Sequence, residues 1–215
     1  MILSQTNCKQ IFKNAYENRY TWPKSFKGYK GKCIYLSKNE KIEGNFIVGK
    51  NFKPEIKNIS NDQIVKIIAS QLFEVVIHRV RKSFDDIHSK NDFRLETNTE
   101  NGIQMIVTGK NEGDKYRVKD GSINMVYRRM HGVVFEIYVE KFIDTKKGLL
   151  SKKYSSTQLD EKTLKPISER LYYDDEFLNI GNDFWVLSSR TINYLDQSKE
   201  EKQSRFLFEE ISLLD

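Results

Sequence analysis

Apolar and polar residues alternate in short runs from residue 91 to residue 215, with turn-forming residues between the runs. Alternation with a period of two is typical of a β-strand that buries one face. The dipeptides Asn101-Gly102 and Asp120-Gly121 lie between such runs, and both favour a two-residue hairpin turn. The pattern therefore predicts an antiparallel meander. In its clearest run, one face carries Val133, Phe135, Ile137 and Val139.

Two other segments place apolar residues three and four positions apart, which is the spacing of one helix face. The first covers residues 6–20 and the second covers residues 61–84. In the second segment the apolar residues extend over more than half of the circumference and leave a narrow polar stripe. A helix of this kind needs protein around most of its surface. We therefore expect the second helix to be nearly surrounded.

Together these segments predict an α+β fold with about nine to eleven strands and two helices. Two helices cannot cover a flat sheet of that width, and strand twist accumulates across a sheet. We therefore predict a highly curved antiparallel sheet, either a half-barrel or a barrel. The N-terminal helix packs on it, and the second helix packs on its concave face. A length of 215 residues fits a single domain, residues 1–215.

The charge pattern argues against a nucleic-acid partner. The chain has 36 basic and 30 acidic residues, a net charge of +6, and these charges are spread along the sequence. Nucleic-acid binders usually concentrate positive charge on one face or arm. Cys8 and Cys33, the 2 cysteines, are expected to be free thiols in a reducing compartment. The first five residues do not resemble a secretory signal, and no apolar run is long enough to span a membrane.

A ligand site is predicted where the second helix faces the sheet, because the volume that the helix leaves unfilled would be apolar. The expected lining is Leu72, Phe73, Val76, Phe135 and Ile137. Basic residues are expected at its rim, where arginine forks bind carboxylates or phosphates. These residues are His78, Arg79, Arg81, Lys82, Arg128, Arg129 and His131. The alternative is that these cations pair with Glu17, Asp85, Asp86 or Glu136 and only hold the helix on the sheet.

Catalytic and metal chemistry has little support in the sequence. The 3 histidines, His78, His88 and His131, show no recognised spacing of metal ligands. Nucleophilic-serine, phosphate-loop and dinucleotide motifs do not occur. We assign no catalytic residue, no metal and no cofactor. An enzyme that uses His78 or His131 remains an alternative.

Three segments carry a resemblance to a known family. They are AYENRYTW at residues 15–22, IHRVRKSF at residues 77–84 and MHGVV at residues 130–134. The chain resembles a functionally uncharacterised domain family of cyanobacteria and plastids. The resemblance implies a photosynthetic lineage and a protein of the cytoplasm or plastid stroma, soluble or peripheral at a membrane. It implies no activity.

The order of elements is also similar to the periplasmic lipoprotein-carrier fold. In that fold an open half-barrel and its helices enclose a hydrophobic cavity for acyl chains. This chain differs from it in having no predicted signal peptide, and fold analogy alone does not establish function.

Taken together, these observations predict a non-enzymatic protein that binds or shields a hydrophobic ligand, a lipid or a pigment, or that assists assembly at a photosynthetic membrane. The expected partners are that ligand and a membrane-associated protein. The first alternative is a protein-interaction or scaffold module with a fully packed core. The second is the histidine-dependent enzyme.

Overall fold

The computed structural model of the protein describes residues 5–38, 40–196 and 198–215. Residues 1–4, which enter the argument about a signal peptide, lie outside this part. The helices are α1 (Gln5–Glu17), α2 (Asp62–Arg79) and α3 (Phe84–His88). The strands are β1 (Tyr29–Leu36), β2 (Lys41–Val48), β3 (Pro54–Lys57), β4 (Asn91–Thr99), β5 (Gly102–Gly109), β6 (Lys115–Lys119), β7 (Ser122–Met130), β8 (Val133–Asp144), β9 (Leu149–Asp160), β10 (Leu171–Asn179), β11 (Trp185–Leu195) and β12 (Glu201–Leu213).

The predicted fold class is confirmed as α+β with an antiparallel sheet. The hydrogen-bonded order is β3-β2-β1-β12-β11-β10-β9-β8-β7-β6-β5-β4. Because β3 and β4 are edge strands, the sheet is open and the barrel alternative is wrong. The described residues form twelve strands, slightly more than the sequence predicted. Bulges such as those at Lys30/Lys32 and Val139/Lys141 add the local twist and bending that a curved sheet needs.

The chain forms two compact units, each built from two stretches of sequence. The first unit comprises residues 5–20 and Lys82–Tyr172, and therefore contains α1, α3 and β4 to β9. The second unit comprises Thr21–Arg81 and Tyr173–Asp215, and contains β1 to β3, α2, most of β10, β11 and β12. The division falls inside β10, between Tyr172 and Tyr173.

The core of the first unit is an aromatic cluster beneath α1, which packs against β4, β6 and β7. Phe12 lies at its centre, with ring centroids 4.6 Å from Phe93 and 4.4 Å from Tyr116. The His88 ring meets the Phe12 ring edge-on at 5.1 Å. These side chains are almost completely buried, so the cluster is a dry core to which helix, strand and histidine all contribute.

Hairpin turns in the first unit follow the glycine signals, with one shift. Asp120 and Gly121 have φ values of 48° and 70°, as expected for the predicted two-residue turn. The Asn101-Gly102 prediction is wrong by one residue, because Thr99 pairs with Gly102 and the turn is formed by residues 100 and 101. Gly102, with φ of 120°, begins β5 instead. His131-Gly132 forms a further hairpin turn, with φ values of 55° and 80°.

In the second unit, α2 packs against β1 and β3. Asn61 caps it, its side-chain oxygen accepting from the backbone N–H groups of Gln63 and Ile64. The predicted helix over residues 61–84 is too long, because Val80 is extended and bridges to Trp22. A separate capping box, formed by Ser83 and Asp86, then begins α3.

The expectation that the second helix is nearly surrounded is wrong for one of its faces. Ile68 and Leu72 on α2 are fully buried, whereas Phe73 and Ile77 are each 46% exposed. Residues four positions apart lie side by side on a helix. An apolar pair one turn apart is therefore accessible on the outer side of α2.

Candidate functional site

The predicted site residues are divided between the two units. The second unit contains His78, Arg79 and Arg81 of the basic set, with Leu72, Phe73 and Val76 of the apolar set. The first unit contains Lys82, Arg128, Arg129 and His131, with Phe135 and Ile137. Each group is therefore considered within its own unit.

Strand β7 separates the two arginines that the sequence grouped together. Neighbouring residues of a strand point to opposite faces, so Arg128 and Arg129 diverge. Arg129 lies against Gly113. Arg128 is directly opposite Phe135 of β8 in the strand register, and cross-strand partners share a face. Arg128 therefore joins the predicted apolar residues and Arg129 does not.

The face that carries Arg128 is the one on which α1 packs. Val126 packs against the core cluster beneath α1 and is paired with Ile137 of β8. Phe135, Ile137 and Val139 thus continue the apolar face from β7 onto β8, where all three are only half-buried. We call these three residues the β8 strip. It is an accessible apolar surface with an arginine beside its first residue.

Around the core beneath α1, three titratable groups are buried: His88, Asp114 and Tyr116. Burial, reinforced by Arg128 and Arg19, lowers the pKa of His88 to about 4, so its ring is neutral near pH 7. Burial also raises the pKa of Asp114, against the opposing effects of the Arg129 backbone N–H and the Arg128 charge. Burial raises the pKa of Tyr116, and Arg128 and Arg19 again oppose this effect. The same two guanidinium groups therefore act on both rings.

Arg19 reaches this region from the segment that follows α1. Its Nε donates to the backbone oxygen of Tyr16 at 2.9 Å, and its guanidinium carbon lies 3.7 Å from the centre of the Tyr16 ring. The segment itself is fixed by Leu149, whose N–H donates to Asn18 O at 2.7 Å. Gly148 permits this close approach, because a Cβ there would lie 2.7 Å from the backbone nitrogen of Tyr20.

Arg19 was not among the predicted site residues. The available signal was its place in the AYENRYTW segment, directly after the end of the amphipathic helix. The sequence could not show that its side chain folds back over the tyrosine one helical turn earlier.

The acidic residues suggested as partners of the rim cations are bound to other groups. Lys13 lies 4.0 Å from Glu17 and 3.7 Å from Asp85. Glu136 pairs with Arg170 at 2.5 Å, and Asp86 accepts from the Ser83 backbone in the cap of α3. These four contacts do not involve the predicted rim.

The second unit holds a buried charged centre beneath α2. Arg190 of β11, 1% exposed, donates from Nε and Nη2 to the two carboxylate oxygens of Asp175, both at 2.8 Å. Its Nη1 donates to Gln71 at 3.0 Å and to Glu74 at 2.9 Å. Burial raises the pKa of Glu74, Arg190 opposes this effect, and Asp175 adds to it. This arginine is engaged by protein acceptors and fastens α2 to β10 and β11.

Among the described residues, no group of three or more histidine, cysteine, aspartate or glutamate side chains is arranged to hold a metal ion. In the same part of the chain, none of the helices combines the length and apolar character needed to cross a bilayer. Both cysteines are buried free thiols, as predicted.

The sequence matches the family described as "Protein of unknown function (DUF3386)" over residues 3–214. The chain belongs to the DUF3386 family. The expected membership of a functionally uncharacterised domain family is therefore confirmed, while the photosynthetic lineage stays a prediction. No curated protein matches this DUF3386 chain.

Several solved structures are similar to this DUF3386 protein at low identity. A DUF1329 family protein from Desulfovibrio piger ATCC 29098 is 8% identical with a TM-score of 0.28, over 97% of this chain and 92% of that one. The LolA superfamily protein NE2245 from Nitrosomonas europaea is 10% identical with a TM-score of 0.27, over 97% and 94%. The Pseudomonas aeruginosa MucA/MucB complex is 10% identical with a TM-score of 0.26, over 94% of this chain and 93% of that one. At these TM-scores the likeness carries no argument about ligands or partners.

Proposed function

We propose that this DUF3386 protein binds an amphipathic, anionic hydrophobic ligand, a lipid or a pigment, on the β8 strip of its first unit. The observation that carries the proposal is the cross-strand pair Arg128–Phe135. It sets a positive charge beside an apolar surface that α1 leaves half-buried. Of the residues predicted from the sequence, Arg128, Phe135 and Ile137 belong to this proposed site, whereas Arg129 does not.

The apolar surface supplies most of the binding free energy in this proposal. Removing each 100 Å² of apolar surface from water contributes about 2.5 kcal/mol, and a chain lying along the β8 strip covers both its own surface and that of the protein. An arginine at one end gives orientation, because a guanidinium binds a carboxylate or phosphate with two parallel hydrogen bonds. A ligand with one apolar and one acidic end fits both features.

The biological setting follows from the kind of ligand. A protein that covers the apolar part of a lipid or pigment is suited to shielding it in water or to delivering it during assembly at a photosynthetic membrane. The partners in this setting are the ligand and a membrane-associated protein that receives it.

Native mass spectrometry of protein purified from its own source tests the proposal. We expect a bound lipid or pigment to leave the protein as the collision energy is raised. The variant Ile137→Thr is expected to carry less of it, and Ile167→Thr is the matched control, because Ile167 of the first unit is 55% exposed and is not in the strip. Recovery of apo protein alone, together with no binding of lipid or pigment in vitro, contradicts the proposal.

A second candidate function has its own observation in the second unit. The exposed pair Phe73 and Ile77 on α2 is suited to contact with a protein partner, as in the predicted scaffold alternative. The double variant Phe73→Ser/Ile77→Ser should lose a stoichiometric partner in a pull-down without losing bound ligand. Loss of ligand with partner retained would argue against this division of roles.

A further inference from the structure

We infer that the acidic end of the ligand is a carboxylate and that Arg19 and Arg128 bind it together. This inference rests on the proposed function, since it concerns the ligand of the β8 strip. Arg128 comes from β7 and Arg19 from the segment after α1, so the site is assembled from two distant parts of the first unit.

The two arginines lie around the same buried groups. Tyr16, which lies beneath the Arg19 guanidinium, and Val126, two residues before Arg128 on the same face of β7, both pack against the core cluster beneath α1. In keeping with this placement, each arginine lowers the pKa of His88 and opposes the rise in the pKa of Tyr116. The Tyr16 ring beneath the Arg19 guanidinium is itself 5.2 Å from the His88 ring. Arg128, beside Phe135, is on the same face of the sheet. The ligand head is therefore approached by two cations.

Neither arginine is held in an ion pair: within residues 5–38, 40–196 and 198–215, no carboxylate lies within ion-pair distance of Arg19 or Arg128. The Asp114 carboxylate still interacts with the Arg128 charge over a longer distance. Arg19 is nevertheless half-buried and held by its Nε bond and the Tyr16 ring. Holding a desolvated cation in one orientation lowers the entropy that is lost on binding an anion. Arg170 is different, because Glu136 already occupies it.

The local charge favours a single negative charge on the ligand. Arg19 and Arg128 contribute two positive charges, the neutral His88 none, and the buried Asp114 carboxylate at most one negative charge. With the Asp114 carboxylate ionised the sum is one positive charge, which a single carboxylate balances and a phosphate monoester near its dianionic form exceeds. Asp114 would also repel a second negative charge on the ligand head. The preferred ligand is thus a long-chain carboxylic acid.

Isothermal titration calorimetry with three C16 probes tests the inference: palmitate, hexadecanol and hexadecyl phosphate, each below its aggregation concentration. Wild type should bind palmitate more tightly than the other two. Arg128→Gln and Arg19→Gln should each weaken palmitate binding by about tenfold or more, as expected for loss of a charge-assisted hydrogen bond. Hexadecanol binding should stay within about twofold in both variants.

Arg129→Gln is the matched control, because it removes the neighbouring arginine of β7 from the opposite face and leaves palmitate binding unchanged. Arg19→Lys keeps the positive charge but cannot form two parallel hydrogen bonds to a carboxylate. Its affinity for palmitate should therefore lie between those of Arg19→Gln and wild type. Circular dichroism at the titration temperature establishes that each variant is folded.

The outcomes distinguish this inference from the proposed function. Equal binding of palmitate and hexadecanol to wild type, or full affinity in Arg19→Gln, overturns the two-arginine carboxylate site and leaves the β8 strip standing. Equal losses in Arg129→Gln and Arg128→Gln also overturn it, because the effect would then be long-range charge. Absence of binding by all three probes overturns the proposed function as well. Tighter binding of hexadecyl phosphate would replace the carboxylate with a phosphate.

Discussion

The two units differ in how a long helix is held on an antiparallel sheet. Each lays one long helix over antiparallel strands, α1 in the first unit and α2 in the second. Beneath α1 the contact is apolar and aromatic, with Phe12 against Phe93 and Tyr116. Beneath α2 an ionic centre, built on Arg190 and Asp175, joins the helix to the strands.

The difference affects how firmly each helix is positioned. Burial of apolar surface is non-directional, and an apolar core tolerates changes that preserve volume. A buried arginine is satisfied only when its acceptors are in fixed places, and an unpaired charge there is costly. The apolar face of the first unit extends onto β8 and remains accessible, whereas the corresponding polar centre of the second unit is filled by its own side chains. Ligand binding is therefore proposed for the first unit.

The chain offers reporters that follow the units separately. Both tryptophans, Trp22 and Trp185, are in the second unit. Each unit also has one fully buried cysteine, Cys8 in the first and Cys33 in the second. Fluorescence and the rate of thiol labelling in single-cysteine variants can thus compare the units.

The largest expected effect comes from removing the charge beneath α2. Arg190→Met removes the guanidinium that binds both oxygens of the buried Asp175 carboxylate, and we expect the free energy of unfolding to fall by about 4 kcal/mol. Urea denaturation followed by tryptophan fluorescence measures it, and labelling of Cys33 should accelerate more than labelling of Cys8.

The double variant Arg190→Met/Asp175→Asn is the control for this prediction. It removes both charges, so a large part of the stability should return. A double variant as unstable as the single one would show that the lost contacts with α2, and not the loss of the guanidinium beside the Asp175 carboxylate, cause the effect.

The apolar counterpart is Phe12→Ala, which opens a cavity beneath α1. We expect the free energy of unfolding to fall by about 3 kcal/mol. Here Cys8 labelling should accelerate more than Cys33 labelling, the reverse of the Arg190 variant. If Phe12→Leu, which retains most of the volume, were as unstable as Phe12→Ala, cavity formation would not be the cause.

A pH-dependent effect should distinguish the cores further. The pKa of His88 is about 4 in the folded protein, below the value of about 6.5 in an unfolded chain. The unfolded state therefore binds more protons in this window, and stability falls as the pH falls. Between pH 7.5 and 5 this histidine should reduce the free energy of unfolding by about 2 kcal/mol.

Replacing His88 with Phe isolates that contribution. The pKa values of Asp114 and Glu74 are raised, which acts with the opposite sign, so the measured quantity is the difference between wild type and variant at each pH. The free energy of unfolding of His88→Phe should therefore depend less on pH than that of wild type. His131→Asn, at an exposed turn where asparagine tolerates positive φ, is the control for loss of a histidine outside this core.

The smallest expected effect concerns the start of α2. Asn61→Ala removes the acceptor for the Gln63 and Ile64 N–H groups and should lower the free energy of unfolding by about 1 kcal/mol. Asn61→Asp should retain most of it. Equal losses in both variants would show that the cap is not the source of the effect.

The sequence predicted features that depend on local periodicity. Alternation along β8 correctly set Phe135 and Ile137 on one face, and the same rule separates Arg128 from Arg129, which a grouping by charge obscured. The end of α2 was missed because the apolar pattern continues past Arg79.

Long-range features were not accessible in this way. Arg190 meets Gln71 across 119 positions of sequence, and nothing local to either residue indicates the other. Arg19 gains its place from a backbone pairing with Leu149 that depends on Gly148. Both arrangements depend on the long-range arrangement of the strands. The apolar pattern predicts the class of fold but not that arrangement.

The pairing of β1 with β12 has a consequence for biosynthesis. Tyr29 lies opposite Leu213 and Leu36 opposite Arg205, so β1 lacks one of its two neighbours until β12 has left the ribosome. The strands β4 to β9 pair only in sequence order and can assemble as they emerge. At translation rates of about 5–20 residues per second, roughly ten seconds or more pass between the synthesis of β1 and that of its partner strand β12. An unpaired strand edge invites association with other chains, and the β1 edge stays open to such association until β12 pairs with it.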